Sequence, residues 1–375
     1  MKKLLYRLFA ALFLTICAIP TLATLLLGPS KPVANETPVP RPQLRQPDNS
    51  LNWAFLSDAG DWFAKHFAFR PQLITADSAW KAALLATSSQ KQVALGQDGW
   101  LYYAETLDDY TGADAITPRQ AFCCARSLKL VQDWAESQNT GFLFTVAPNK
   151  LSLYPGHFPG KLEKGAPTSA ELLATQLEAQ GVAYADLFSA LSSVDEAFYH
   201  AADSHWNNRG AALAHDVLLE NLGIGAAPAF KKPGHFEGSH QPDLYGMLYP
   251  ASSWLDQQFI FDQPPAFTYD APVQGPDDIL IHTTGQGDYS LLMFRDSFGN
   301  ALHSLLAESF AASTFTRSTP YDLSPAATVD FVILEIVERN ISRLAQGDYL
   351  LPAPLVGFTP SGAEQEAPAV YTSQP

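Results

Sequence analysis

The 375-residue chain has few cysteines, few basic residues and a single long apolar run. Three cysteines cannot supply a disulfide framework or a four-ligand zinc site. Only 23 Lys and Arg oppose 38 Asp and Glu, which gives a net charge of −15. Such an acidic surface repels phosphate groups, so we expect no nucleic-acid partner and no attraction to anionic lipid headgroups. The nine histidines contain no His-Glu-x-x-His motif, so we expect no metal and no cofactor.

The one long apolar run lies at the N-terminus. No charged side chain occurs from Leu8 to Ser30, and about 20 such residues span a bilayer as a helix. Lys and Arg within the first seven residues precede it, which places the N-terminus in the cytoplasm and the body outside. We therefore expect residues 1–28 to be a signal anchor in the inner membrane, with a periplasmic body. A cleaved signal peptide, which would release the body into the periplasm, is the alternative.

Composition divides the remainder of the chain into three further parts. Residues 29–49 are rich in proline and predict an extended linker. Residues 50–351 carry enough apolar sequence for one catalytic domain, in which residues 225–285 are an irregular or β-rich insertion. Residues 352–375 predict an extended or disordered tail.

Short apolar runs alternate with helical segments through the body, which is typical of an α/β fold. Two capping boxes, Thr117 with Gln120 and Thr168 with Glu171, mark helix starts. We predict strands at 141–147, 182–188, 289–294 and 331–336, and helices at 117–138, 169–181, 208–222 and 301–309. This order predicts a mostly parallel sheet flanked by helices, with ligands bound beyond the carboxyl ends of the strands.

Two positions near predicted strand ends carry groups suited to nucleophilic catalysis. Ser297 lies between a strand and a helix, where free N–H groups favour a developing oxyanion. Asp203 and His205 lie in a loop before a helix, and an Asp can orient a His that serves as base for a Ser. The alternative is that Ser297 and Asp203 only cap helices and that His205 is a surface residue.

Two polar pairs also follow predicted strands. Asn149 and Lys150 come after the strand at 141–147, and Arg339 and Asn340 follow the last strand. Each pair is a candidate for stabilising an oxyanion or for binding a polar substrate. Solvated strand ends with local capping are the alternative.

Taken together, these segments resemble the alginate O-acetyltransferase family of the AlgJ/AlgX type, related to the DHHW proteins, over roughly residues 50–350. The markers are Trp62-Phe63, Asp98-Gly99-Trp100-Leu101-Tyr102, Ala147-Pro148-Asn149-Lys150-Leu151, Asp203-x-His205-Trp206, Arg295-Asp296-Ser297-Phe298 and Val337-Glu338-Arg339-Asn340. The resemblance implies an SGNH-hydrolase-like domain in which the Asp/His block precedes the Ser block, a circularly permuted order. Arg295 departs from the pattern, because many SGNH enzymes have glycine there.

The resemblance also implies a function. Ser297, His205 and Asp203 would form a catalytic triad that moves acetyl groups onto hydroxyls of an exported polysaccharide. The acetyl group would come from a partner of the membrane-bound O-acyltransferase class. The alternatives are an acetyl esterase with the same triad and a non-catalytic, glycan-binding scaffold subunit of an export complex.

Overall fold

The computed structural model describes residues 2–33, 36–347 and 349, so the predicted tail at 352–375 lies outside the described residues. The α-helices are α1 (Lys2–Leu27), α2 (Phe55–His66), α3 (Arg70–Leu85), α4 (Thr106–Thr111), α5 (Pro118–Ser137), α6 (Lys150–Leu153), α7 (Ser169–Gln180), α8 (Leu187–Ser192), α9 (Asn208–Asn221), α10 (Asp243–Leu248), α11 (Gly299–Ser309) and α12 (Ile341–Gln346). The strands are β1 (Val93–Leu95), β2 (Leu101–Tyr103), β3 (Gly141–Ala147), β4 (Tyr184–Ala185), β5 (Gly234–His240), β6 (Asp256–Phe261), β7 (Thr268–Tyr269), β8 (Leu280–Thr284), β9 (Ser290–Phe294), β10 (Ala312–Thr316) and β11 (Phe331–Val337).

The chain forms two compact units. The first comprises the residues up to Leu95 together with Gln241–Leu255, and the second comprises Gly96–His240 and the residues from Asp256 onward. In the first unit, α1 is, among the described residues, the one helix long and apolar enough to cross a membrane.

A seven-stranded sheet forms the centre of the second unit. Its order is β4-β3-β11-β9-β10-β8-β7. The strand pairs from β4 to β10 are parallel. Strand β8 pairs with β10, and β7 pairs with β8, and both of these pairs are antiparallel. The predicted mostly parallel α/β sheet is therefore confirmed. Strands β5 and β6 pair separately, and with β7 and β8 they occupy the segment expected to be irregular or β-rich.

Apolar side chains on the two faces of this sheet form two clusters. Along β11, Val332 and Leu334 belong to the cluster beneath α5, α7 and α12. Ile333 and Val337 belong to the cluster beneath α8, α9 and α11. Because successive strand residues point to opposite faces, helices cover both sides of a buried parallel strand, as in other parallel sheets.

Both predicted capping boxes are present. The Thr117 side chain accepts from the Gln120 N–H at the start of α5, and the Thr168 side chain accepts from the Glu171 N–H at the start of α7. In each box the side chain of the third helical residue accepts from the backbone N–H of the capping threonine. Two N–H groups at the helix start are thereby satisfied.

One predicted strand is shorter than expected. The prediction of a strand over 182–188 is wrong beyond Ala185, because β4 contains only Tyr184–Ala185. The Asp186 side chain accepts from the Ser189 N–H and starts α8. A side-chain cap at this position favours a helix over continued strand pairing.

Candidate active site

Asp203 and His205 lie at the tip of a tight hairpin formed by residues 198–207. Its two arms are joined by an antiparallel bridge between Tyr199 and Trp206, and the Asn207 N–H donates to the Phe198 carbonyl at 2.7 Å. The hairpin follows α8 and leads directly into α9. The two side chains are therefore placed by a rigid turn between helices and not by the end of a strand.

Ser297 lies in the turn between β9 and α11. The Asp296 carboxylate holds this turn, since Oδ1 accepts from the Phe298 N–H at 2.9 Å and Oδ2 accepts from the Val337 N–H at 2.6 Å. The second of these bonds joins the turn to the end of the neighbouring strand β11. The start of α11 is thereby fixed at the carboxyl edge of the sheet.

The fold brings these three residues together, although Ser297 lies 92 positions after His205. The His205 Nε2 atom lies 2.8 Å from Ser297 Oγ, and its Nδ1 atom lies 2.7 Å from Asp203 Oδ1. The same carboxylate oxygen accepts from the His205 backbone N–H at 2.9 Å. This is the order of contacts through which a carboxylate orients an imidazole and the imidazole accepts a proton from a serine hydroxyl.

A second histidine, which the sequence did not single out, donates to the same aspartate. His240 Nε2 lies 2.9 Å from Asp203 Oδ2. Burial opposes ionisation of Asp203, but the hydrogen bonds from His205 and His240 outweigh burial and hold its pKa well below its usual range. Asp203 is therefore a carboxylate throughout the neutral range, as an orienting acid must be.

His240 is itself stacked on His200, with 3.8 Å between the ring centroids. Burial and the neighbouring His240 lower the pKa of His200 to about 4. His200 is thus neutral at physiological pH and avoids placing two cationic rings face to face. No spacing rule links His200 and His240 to the triad residues, so the sequence offered no signal for them.

Lys150, a candidate for oxyanion binding, is buried and donates to the hairpin. Its Nζ lies 3.1, 2.9 and 2.6 Å from the carbonyl oxygens of His200, Ala201 and Asp203. Its ammonium also lies over the rings of Trp100 and Tyr102. Three carbonyls match the three protons of an ammonium group, so the structure places Lys150 as a support for the Asp203 loop.

Asn149 is buried between two carboxyl groups. Its side-chain amide donates to Asp109 at 2.9 Å, and its backbone N–H donates to Glu338 Oε2 at 2.7 Å. Burial is the main cause that raises the pKa of Asp109 to about 6 and that of Glu338 to about 7. The structure therefore uses Asn149 to join β3 to the end of β11.

Arg339 and Asn340 lie close to the serine turn. The Asn340 amide donates to Asp296 Oδ2 at 3.3 Å. The Arg339 guanidinium lies 5.6 Å from the centre of the Phe298 ring, and this ring also lies 4.9 Å from the His205 ring. Of the four additional candidates, Arg339 and Asn340 are thus the pair that the structure brings to the Ser297 turn.

Comparison with known proteins agrees with this architecture. Residues 93–243 match the family described as the SGNH hydrolase-like domain of the acetyltransferase AlgX. The probable alginate O-acetylase AlgJ of Pseudomonas syringae pv. tomato is 30% identical over 149 residues, which cover 38% of this chain and 34% of that protein. Over this part the chain is similar to proteins of the AlgJ/AlgX type. The match spans about a third of that curated relative's length, and the matched family region contains Asp203 and His205 but ends before Ser297.

Solved structures show where else this fold occurs. Bacillus cereus PatB1, solved with a sulfonyl adduct, aligns with a TM-score of 0.51 and 15% identity over 66% of this chain and 97% of PatB1. The O-acetyltransferase domain of Pseudomonas putida AlgJ aligns with a TM-score of 0.43 and 18% identity over 72% of this chain and 95% of that domain. The alignment with PatB1 shows that the chain shares its fold.

The second unit contains another Ser–His–Asp arrangement, away from the Ser297 turn. His215 Nε2 lies 2.8 Å from Ser309 Oγ, and His215 Nδ1 lies 2.9 Å from Asp216 Oδ1. Ser309 is the last residue of α11, where the helix presents carbonyl groups, whereas Ser297 precedes the N-terminus of the same helix. Carbonyls repel an oxyanion, so this arrangement serves as a contact between α9 and α11 and supplies a matched control for the first.

Proposed function

We propose that this protein transfers acetyl groups to hydroxyl groups of an exported polysaccharide through an acetyl–Ser297 intermediate. The observation that carries the proposal is the continuous set of contacts from Asp203 through His205 to Ser297 Oγ, with 2.8 Å between nitrogen and hydroxyl. The AlgX-type acetyltransferase family match and the 30% identity to an alginate O-acetylase support acetyl as the group transferred.

The transfer takes place in two displacements. In the first, His205 Nε2 accepts the Ser297 proton while Oγ bonds to the acetyl carbonyl carbon, and the donor oxygen leaves with that proton. In the second, His205 takes the proton of a sugar hydroxyl, the sugar oxygen bonds to the carbonyl carbon, and Ser297 Oγ leaves and regains the proton. General-base assistance of this kind is typically worth about 10²–10⁴-fold in rate.

Groups at the serine turn are placed to stabilise the tetrahedral oxyanion. The Ser297 N–H lies at the N-terminal side of α11, where the helix dipole favours negative charge. The Arg339 guanidinium adds a positive charge 5.6 Å from the centre of the Phe298 ring. We assign the Ser297 N–H to the oxyanion and Arg339 to polar groups of the substrate.

The partners and the location follow from the same proposal. The polysaccharide is the acceptor, and a membrane-bound O-acyltransferase-type protein supplies the acetyl group. Helix α1 anchors the protein to the inner membrane with the catalytic domain in the periplasm, which agrees with its length and apolar composition. No nucleic acid, metal or cofactor takes part in this scheme.

The test is acetyl transfer by the full chain in detergent micelles, from a chromogenic acetyl ester to an oligosaccharide, for wild type, Ser297→Ala and Ser309→Ala. We expect Ser297→Ala to lose transfer by at least about 10³-fold, because alanine has no hydroxyl that could carry the acetyl group. Ser309→Ala, which removes a serine with equally short contacts to a histidine, should retain wild-type activity.

The products separate the alternatives. Acetylated sugar detected by mass spectrometry supports the transferase, whereas acetate alone, with every acceptor, assigns an acetyl esterase with the same triad. Equal inactivity of folded wild type and Ser297→Ala would contradict catalysis and favour the scaffold.

Covalent labelling is an independent check of the nucleophile, because PatB1 was solved with a sulfonyl adduct. We expect a sulfonyl fluoride to label wild type and Ser309→Ala but not Ser297→Ala.

A further inference from the structure

Helix α3, in the first unit, presents apolar side chains outward. Phe69, Leu73, Trp80 and Leu84 are 44%, 57%, 48% and 77% exposed, respectively. Their separations of four, seven and four residues place them along one face of a helix, and the alanines at positions 76 and 83 on that face are exposed too. Contiguous apolar surface of this kind marks an interaction site on a folded protein.

The polar groups of α3 are divided between its two sides. Asp77 borders the apolar face, where its carboxylate accepts from Lys81 Nζ and Trp80 Nε1. Ser78 is buried and its hydroxyl pairs with Ser89, and Thr75 Oγ1 accepts from the Ala251 N–H. A surface helix of a water-soluble protein has the opposite arrangement, with its apolar face toward the core. The outward face of α3 is therefore suited to an apolar or interfacial environment and not to bulk water.

The apolar helix α1 ends beside the junction between α2 and α3. The Ala68 N–H donates to Thr24 Oγ1 at 2.9 Å, and the Ser30 N–H donates to the His66 carbonyl at 2.8 Å. Thr24 belongs to the last turn of α1. If α1 crosses the membrane, these contacts hold the start of α3 at the level where α1 leaves the lipid.

Charge in this part of the chain also suits a membrane surface. Residues 29–95, which follow α1, contain seven Lys and Arg against five Asp and Glu, although the whole chain contains 23 against 38. The excess of acidic residues, from which we expected no attraction to anionic lipid headgroups, thus lies in the rest of the chain. Basic residues beside a membrane span are attracted to anionic headgroups.

We propose that the exposed face of α3 lies in the headgroup region of the membrane that holds α1. Trp80 and Phe69 would occupy the interface, where aromatic side chains are enriched, and Leu73 and Leu84 would reach the acyl boundary. This rests on the proposed anchoring by α1. It assigns the surface to anionic lipid.

The test is quenching of tryptophan fluorescence in the full chain, reconstituted into vesicles of phosphatidylethanolamine and phosphatidylglycerol that contain a shallowly brominated phosphatidylcholine. We expect Trp80→Phe to remove part of the quenching caused by bromine. Trp254→Phe is the matched control, since Trp254 is also exposed, at 46%, but lies outside α3 and packs on Tyr245. Equal quenching in wild type and both variants would overturn the proposal.

Alkaline extraction separates this inference from the anchoring by α1 on which it rests. Extraction of the full chain from the vesicles by alkaline carbonate contradicts membrane anchoring by α1. Resistance to extraction, together with equal quenching in wild type and Trp80→Phe, contradicts only the lipid contact of α3. A Trp80-dependent dimer, detected by crosslinking in the vesicles, would assign the face to a second copy and overturn the proposal. Leu73→Ser should leave the melting temperature in detergent unchanged, since this side chain contributes no core packing.

Discussion

Asp203 accepts hydrogen bonds from two histidines, and this sets how strongly its charge acts on the base. His205 and His240 occupy different oxygens of the carboxylate, at 2.7 and 2.9 Å. The donor on the second oxygen holds the carboxylate in line with the His205 ring, and it also disperses part of the negative charge. We therefore assign His240 as a positioning residue, which tunes the base without contacting substrate.

Replacing His240 by Asn should lower kcat and move the acid limb of the pH–rate profile upward. A hydrogen bond to a charged group is worth about 1.5–3 kcal/mol, so we expect a loss in kcat of roughly tenfold. The limb moves to higher pH because the more concentrated Asp203 charge raises the affinity of His205 for its proton. The measurement is the pH dependence of kcat in the acetyl ester assay.

His235→Asn is the control for this change. His235 lies on the same strand β5 but is exposed, and its closest acidic partner is Asp262 at 3.6 Å. We expect wild-type activity and an unmoved profile. A loss of activity in His240→Asn with no movement of the acid limb would reduce His240 to a packing role.

At the scale of elements, the hairpin of residues 198–207 depends on a side chain from outside itself. Lys150, at the start of α6, donates to three carbonyls of this loop. A buried ammonium in this position satisfies acceptors that the tight turn cannot pair internally. The orientation of the Asp203 and His205 side chains is thus set from β3 and α6 as well as from the hairpin.

Lys150→Met should destabilise the fold and disorder the hairpin. Unpaired buried carbonyls cost about 1–3 kcal/mol each, so we expect a loss of about 3–5 kcal/mol in the free energy of unfolding. Denaturant unfolding measures the loss, and hydrogen exchange of the amides in residues 198–207 locates it. Lys161→Met, at an 89% exposed side chain, is the control and should be neutral. Unchanged exchange in Lys150→Met would contradict the assignment.

At the scale of the whole molecule, buried carboxyl groups make stability depend on pH. Burial raises the pKa of Glu338 from 4.5 to about 7 and that of Asp109 from 3.8 to about 6. Burial and the nearby Asp296 also raise the pKa of Glu335 well above its usual value. Between the unfolded and folded pKa values these groups hold more protons in the folded protein, so their contribution to stability is greatest below about pH 4 and falls as the pH rises to about 7.

Glu338→Gln should therefore stabilise the protein above pH 7 and lose that advantage near pH 4. Glutamine stays neutral and its carbonyl oxygen can still accept from the Asn149 N–H and the Ser152 hydroxyl. One unit of pKa is worth about 1.4 kcal/mol, so the gain at pH 8 is at most about 3 kcal/mol. Melting temperatures between pH 4 and pH 8 measure it.

The exposed Glu237 supplies the comparison for this change. Glu237→Gln should follow the wild-type melting curve at every pH. A Glu338→Gln protein that is equally or less stable than wild type at pH 8 would show that Glu338 is not held in its neutral form.

Local features of the sequence predicted most of the elements. The capping residues Thr117 and Thr168 satisfy N–H groups within three residues, so the helices they start could be read without knowledge of the fold. The apolar runs of β3 and β11 have the length of buried strands and lie where predicted. The strand over 182–188 was overestimated, because Asp186 supplies a competing helix cap.

Part of the candidate site could be predicted from the sequence, and the rest depends on the tertiary structure. The residue types and their order pointed to Ser297, His205 and Asp203, because a nucleophile, base and orienting acid have recognisable chemistry even when their contacts are unknown. The second donor to Asp203 and the support from Lys150 arise from chain segments that meet only after folding, and no local periodicity encodes such meetings. Burial, which decides the charge of Glu338, is likewise a property of the packed molecule, since desolvation depends on every element that surrounds the group.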